Sequence, residues 1–206
     1  VSGQLDAGTP VTNSIATLGK LNVSNDFYLG SDSGGGWFVN GSIGEVQLVR
    51  GYALSATDVS NAYTYGIPKT WSSGTVVGHY RWRKESNGTT AFGDASTTAY
   101  DTSGKANHLT GTQTSTVNGA SPYVARNIGD TYFGSPSSAT LTPTSITVEF
   151  WFKLDIPGGG DMAIVSHYWW EKWGRFYTTG SNRLAWSWVS TTGVGTTYLQ
   201  STDILT

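Results

Sequence analysis

Apolar and polar residues alternate along much of this chain, with the period of two that half-buried strands require. In Thr147-Val-Glu-Phe-Trp-Phe-Lys-Leu, Val148, Phe150 and Phe152 share one face, and Glu149 and Lys153 the other. Trp151 interrupts the polarity of that outer face. Leu184-Ala-Trp-Ser-Trp-Val and Ala163-Ile-Val-Ser-His-Tyr read as further strands, as does Phe27-Tyr-Leu-Gly. The run from Ile43 to Arg50 predicts one face with Ile43, Glu45, Gln47 and Val49, and an opposite face with Gly44, Val46, Leu48 and Arg50. Turn signals separate the runs: Ser33-Gly-Gly-Gly, Asn40-Gly, Asn87-Gly, Asn118-Gly and Pro157-Gly-Gly-Gly.

A helix is expected only after Leu54. Ser55 reads as its N-cap, with Asp58 three residues on in a capping-box position. Val59, Ala62 and Tyr63 then line one face, and Gly66 and Pro68 stop it. Residues 69–76 form the best linker candidate. The pattern predicts an all-β fold with one short helix.

Composition narrows the function. Charged residues make up 13 % of the 206 residues, about half the usual share. Ser, Thr, Asn and the 27 glycines supply the polarity instead. Net charge is −2, and basic residues cluster only at Arg81-Trp82-Arg83-Lys84. No basic field exists to displace counterions from phosphates, so nucleic acid is not an expected partner. Without cysteine, disulfide and Cys-zinc readings fall away. No apolar run approaches the ~20 residues of a membrane span. No signal-peptide pattern opens the sequence, and Val1-Ser-Gly-Gln reads as the middle of a longer pattern.

Several stretches resemble the laminin-G-like jelly rolls of the concanavalin A-like superfamily. Phe38-Val-Asn-Gly-Ser-Ile-Gly-Glu-Val-Gln-Leu-Val-Arg, followed by Ala53-Leu-Ser, is similar to the signature that closes such a domain. Asp101-Thr-Ser-Gly-Lys-Ala-Asn-His resembles the loop near its start. Leu141 to Leu154 and Ile164-Val-Ser resemble two of its strands. The family aspartate before Glu45 is Gly44 here. The resemblance implies a jelly-roll sandwich, with its closing signature first and its opening signature second. Two arrangements explain that order. In one, residues 1–68 end one sandwich and residues 77–206 begin another, joined by the linker 69–76. In the other, 1–206 form one circularly permuted or cleaved sandwich, with Val1 and Thr206 close together.

Catalysis finds little support. A retaining glycosidase needs two carboxyls about 5 Å apart, and no strand carries a Glu-x-Asp or Glu-x-Glu pair on one face. Neither a Gly-x-Ser-x-Gly elbow nor a His-Glu-x-x-His motif occurs. The chain is therefore expected not to be an enzyme. Asp101 and Asn107 flank a glycine-containing loop, and oxygen ligands of this kind suit calcium. The resemblance implies that the Glu45 strand lies near that loop, making Asp101, Asn107 and Glu45 the candidate ligands of a structural calcium. Alternatively, Asp101 and Asn107 cap turns through Asx hydrogen bonds.

Tyr168-Trp-Trp-Glu-Lys-Trp is the most distinctive local feature. Trp is costly to leave in water, so Tyr168, Trp169, Trp170 and Trp173 suggest a glycan platform or a protein contact. The alternative is that two of them plug the end of a sandwich. Trp37, beside a glycine loop, is a further stacking candidate; Trp186 and Trp188 read as core packing. Asn22, Asn40 and Asn87 match the glycosylation pattern, as chance allows in such a composition. The expected role is surface adhesion, decoration or assembly on a phage virion or bacterial surface. The expected partners are glycans or neighbouring subunits. The alternatives are an accessory carbohydrate-binding region of a carbohydrate-active enzyme and a purely structural assembly subunit.

Overall fold

A computed structural model describes residues 2–3, 11–12, 26–32, 37–81, 98–111, 125–127, 133–135, 141, 146–155, 160–167, 174–189 and 196–201. Its strands are β1 (Ser2–Gly3), β2 (Val11–Thr12), β3 (Phe27–Leu29), β4 (Gly41–Arg50), β5 (Thr75–Tyr80), β6 (Thr98–Ala99), β7 (Leu109–Gly111) and β8 (Ala125–Asn127). Then come β9 (Phe133–Ser135), β10 (Ile146–Leu154), β11 (Met162–His167), β12 (Gly174–Thr178), β13 (Leu184–Val189) and β14 (Thr196–Gln200). One helix, α1 (Ala56–Tyr65), separates β4 from β5.

The strands form antiparallel sheets. One has the order β14-β13-β12-β11-β3-β9-β7-β6, another the order β10-β4-β5, with β8 also on β4; β1 and β2 make a small ribbon. Phe27, Leu29, Phe133, Ile164 and Val165 of the larger sheet share one buried cluster with Ile43, Val46, Leu48, Val77 and Tyr80 of the smaller. The two sheets therefore cover each other's apolar faces.

This pairing bears on the division of the chain. β4 lies between β10 and β5, and β3 between β11 and β9. Each sheet thus holds a strand from before residues 69–76 between two strands that begin after residue 69, and both contribute to one core. Val1 and Thr206 lie outside the described residues, while β1 and β2 both lie against β14.

The strict alternation expected for β4 does not hold. Phe150 pairs with Val46 but Phe152 pairs with Ile43, so Gly44 and Glu45 together face the single residue Trp151. This is a β-bulge, and it turns Ile43 onto the same inward face as Val46 and Leu48. Gly44 suits the bulge because a Cβ there would stand 2.9 Å from the Trp151 Cβ. Gly44→Asp, which restores the residue of the resembled signature, is expected to cost about 1–3 kcal/mol in a denaturant titration.

α1 begins as its sequence requires. Ser55 Oγ accepts the Asp58 N–H at 3.1 Å, and the Asp58 carboxylate accepts the Ser55 N–H at 2.9 Å, a complete capping box. Gly66 ends the helix at φ 88°, and its N–H reaches the Ala62 carbonyl. Ala62 is buried, and the Tyr63 ring packs 5.6 Å from the Trp151 ring on the outer face of β10.

Candidate functional site

Residues remote in sequence meet on the outward face of the larger sheet. Val165 and Phe176 pair on the core side of β11 and β12, so the next pair, Ser166 and Arg175, points the other way. Trp37 is brought to this face by backbone bonds that tie Gly30 and Trp37 itself to β11. Gly30 N–H donates to the Ile164 carbonyl, and Ala163 N–H donates to the Trp37 carbonyl, both at 2.7 Å. Trp37 holds φ 52°, a left-handed conformation rare for a bulky residue. The Arg175 guanidinium carbon lies 3.5 Å from the Trp37 ring centroid and 4.7 Å from that of Tyr177. Its Nη1 donates to Asp32 Oδ2 at 3.2 Å.

The pair Asp32–Arg175 is almost wholly withdrawn from water, with Asp32 2 % and Arg175 6 % exposed. Burial raises the Asp32 carboxyl above its ordinary value, against the lowering effect of the Arg175 charge and hydrogen bond. Both rings thus lie against a cation that a carboxylate holds in place. Trp37 itself is half-buried. The buried ion pair holds the Trp37 ring in place, and the half-buried ring keeps part of its apolar surface open for stacking.

Tyr168, Trp169, Trp170 and Trp173 lie outside the described residues. Their segment, 168–173, nonetheless joins β11 to β12, and its flanking residues His167 and Gly174 pair directly beyond Ser166 and Arg175. The Trp-rich segment therefore springs from the end of the hairpin that carries Arg175. Trp186 is buried and stacks on Phe176 at 5.4 Å and 8°, which makes it a core residue. Sequence reasoning missed Arg175 and Asp32, because 143 positions separate them. The available signal was an arginine inside the aromatic run Gly174-Arg-Phe-Tyr.

The calcium candidates gather around β5. Glu45 Oε1 lies 2.6 Å from His79 Nε2 and 3.4 Å from Arg81 Nε. Asp101 Oδ1 accepts the N–H groups of His79 and Ser103 at 2.9 and 2.8 Å. Its Oδ2 accepts the Ser103 hydroxyl at 2.8 Å and the Asn107 N–H at 3.0 Å. Asn107 Nδ2 donates to the Val77 carbonyl, and its own carbonyl accepts the Tyr80 hydroxyl. The loop from 101 to 107 is thereby stitched onto β5. Calcium takes six to eight oxygen ligands, whereas a carboxylate has about four lone-pair sites, and protein donors occupy four on Asp101. Glu45 faces a ring nitrogen and a guanidinium. In this arrangement the three residues do not fit a calcium ion. Among the described residues no group of three or more acidic or histidine side chains converges.

Glu149 lies across from Gln47 on the outer face of the smaller sheet. Its Oε2 is buried with no hydrogen-bond partner among the described residues. Desolvation pushes its pKa up to about 7, helped by the charges of Asp58 and Glu45. Two carboxyls, Glu45 and Glu149, thus share a face across neighbouring strands, a pairing that inspection within single strands overlooks. The buried oxygen is closed to a substrate. Because the folded pKa exceeds the unfolded value, the folded state binds the extra proton. Stability from this group is therefore present below about pH 4.5 and lost as pH rises through about 7. Glu149→Gln should flatten the fall in Tm between pH 5 and 8 and raise Tm at pH 8; an unchanged slope would contradict the assignment.

The chain is thus a mostly β protein of antiparallel sheets with one short helix. No protein-family model, curated protein or solved structure matches it. Among the described residues, no helix is long and apolar enough to cross a membrane.

Proposed function

We propose that this chain is a laminin-G-like jelly-roll module that binds glycans, without catalysis, on a bacterial or virion surface. The observation that carries the reading is Trp37 stacked on Arg175, which is itself clamped by Asp32, beside the attachment points of the Trp-rich segment 168–173. A binding site of this kind combines apolar ring faces with a few fixed polar groups. The reading omits calcium, because the Asp101 oxygens already accept four protein donors.

A glycan array tests the proposal. The wild-type chain should bind a restricted set of glycans, and Trp169→Ala and Trp170→Ala should each weaken that binding by about tenfold or more. Absence of binding to any glycan would favour the assembly-subunit alternative. Hydrolysis of a bound polysaccharide would overturn the non-enzymatic reading.

A further inference from the structure

Among the described residues, β10 is an edge strand. It pairs with β4 on one side, and among the described residues no strand takes the other. Nine residues long, it carries no bulge of its own, since the extra residue at Trp151 belongs to β4. Proteins commonly blunt such edges with charges, proline or bulges. β10 has one exposed lysine, Lys153, and no proline. Val148, Phe150, Phe152 and Leu154 are partly buried, whereas their β4 neighbours Ile43, Val46 and Leu48 are fully enclosed. The core is therefore open at this edge.

We propose that the flank of β10 is an interface for a second copy of this chain, paired antiparallel about a two-fold axis at Trp151. The register follows from the residues. An antiparallel pair centred on a residue keeps both apolar faces on the same side, whereas one centred between residues puts them on opposite sides. Centring on Trp151 sets Val148 against Leu154 and Phe150 against Phe152 of the second copy. It also sets Glu149 against Lys153. Centring on Phe150 leaves both charges without a mate, and centring on Phe152 places Glu149 against Asp155. The Trp151 register alone gives Glu149 a cation. Directly opposed cross-strand side chains have Cβ atoms about 5 Å apart, within reach of a glutamate–lysine pair. The interface is isologous, as a two-fold requires, and each copy supplies the same strand. This inference does not depend on glycan binding.

Sedimentation of the full chain tests it. The wild type should form dimers, and Lys153→Glu, which opposes like charges, should weaken dimerisation about tenfold or more. The charge swap Glu149→Lys with Lys153→Glu should restore it. The chain has no cysteine, so Trp151→Cys introduces a single thiol on the proposed axis. Directly opposed residues of an antiparallel pair fall within disulfide range, and this variant should cross-link spontaneously, while Lys153→Cys should not. Near-UV circular dichroism establishes that each variant is folded. A wild type that stays monomeric overturns the proposal. So does a dimer that Lys153→Glu leaves intact and Trp151→Cys fails to capture.

Discussion

Replacing Asp101 by alanine is expected to lower the unfolding free energy by about 3–5 kcal/mol. Asp101 is 7 % exposed and accepts four hydrogen bonds. Two of its donors, the N–H groups of His79 and Asn107, belong to buried residues. Each would be stranded away from water, at a cost of about 1–3 kcal/mol. The loop they anchor also carries Asn107, whose amide and carbonyl hold Val77 and Tyr80, so its loosening reaches the core. Asp101→Asn should cost less, because one carbonyl oxygen remains as an acceptor. Denaturant titration of both variants checks the order. A loss below about 1 kcal/mol for Asp101→Ala would mean that the loop does not depend on this carboxylate.

Phe27→Ala should cost about as much, roughly 3–5 kcal/mol. Phe27 is fully buried and stacks on Tyr80 with ring centroids 6.1 Å apart and an 18° interplanar angle. Truncation removes that contact and leaves a cavity at the centre of the shared cluster. The position is informative beyond its magnitude. Phe27 precedes residues 69–76 and Tyr80 follows them, yet they occupy one core. Near-UV and far-UV circular dichroism should therefore report a single transition that moves as a whole. Two transitions, of which only one moves, would show that the two stretches unfold as separate units.

Much of this architecture is legible in the sequence where one local rule acts alone. The Ser55–Asp58 box marked the start of α1, and alternation marked β10, β11 and β13. Legibility fails where a partner strand intervenes. The bulge at Gly44 depends on Trp151, more than a hundred residues away, and no period within residues 43–50 reveals it. The same holds for the candidate site. Trp37 was visible as an aromatic beside glycines. Its meaning comes from Arg175 and Asp32, which the pairing of β11 with β12 and the backbone bonds of Gly30 and Trp37 bring together. Asp101 and Asn107 read equally well as cation ligands or turn caps. Only the four donors on Asp101 distinguish the two.

Glycan recognition at Trp37 is tested most directly by calorimetric titration of the strongest array ligand into the wild type, Trp37→Ala and Trp151→Ala. Trp151 is the fitting control, being 39 % exposed on the outer face of the other sheet. Binding should weaken by about tenfold or more in Trp37→Ala and stay unchanged in Trp151→Ala. Equal affinity of Trp37→Ala and the wild type, or a loss confined to Trp151→Ala, would contradict a glycan site on the Trp37–Arg175 face.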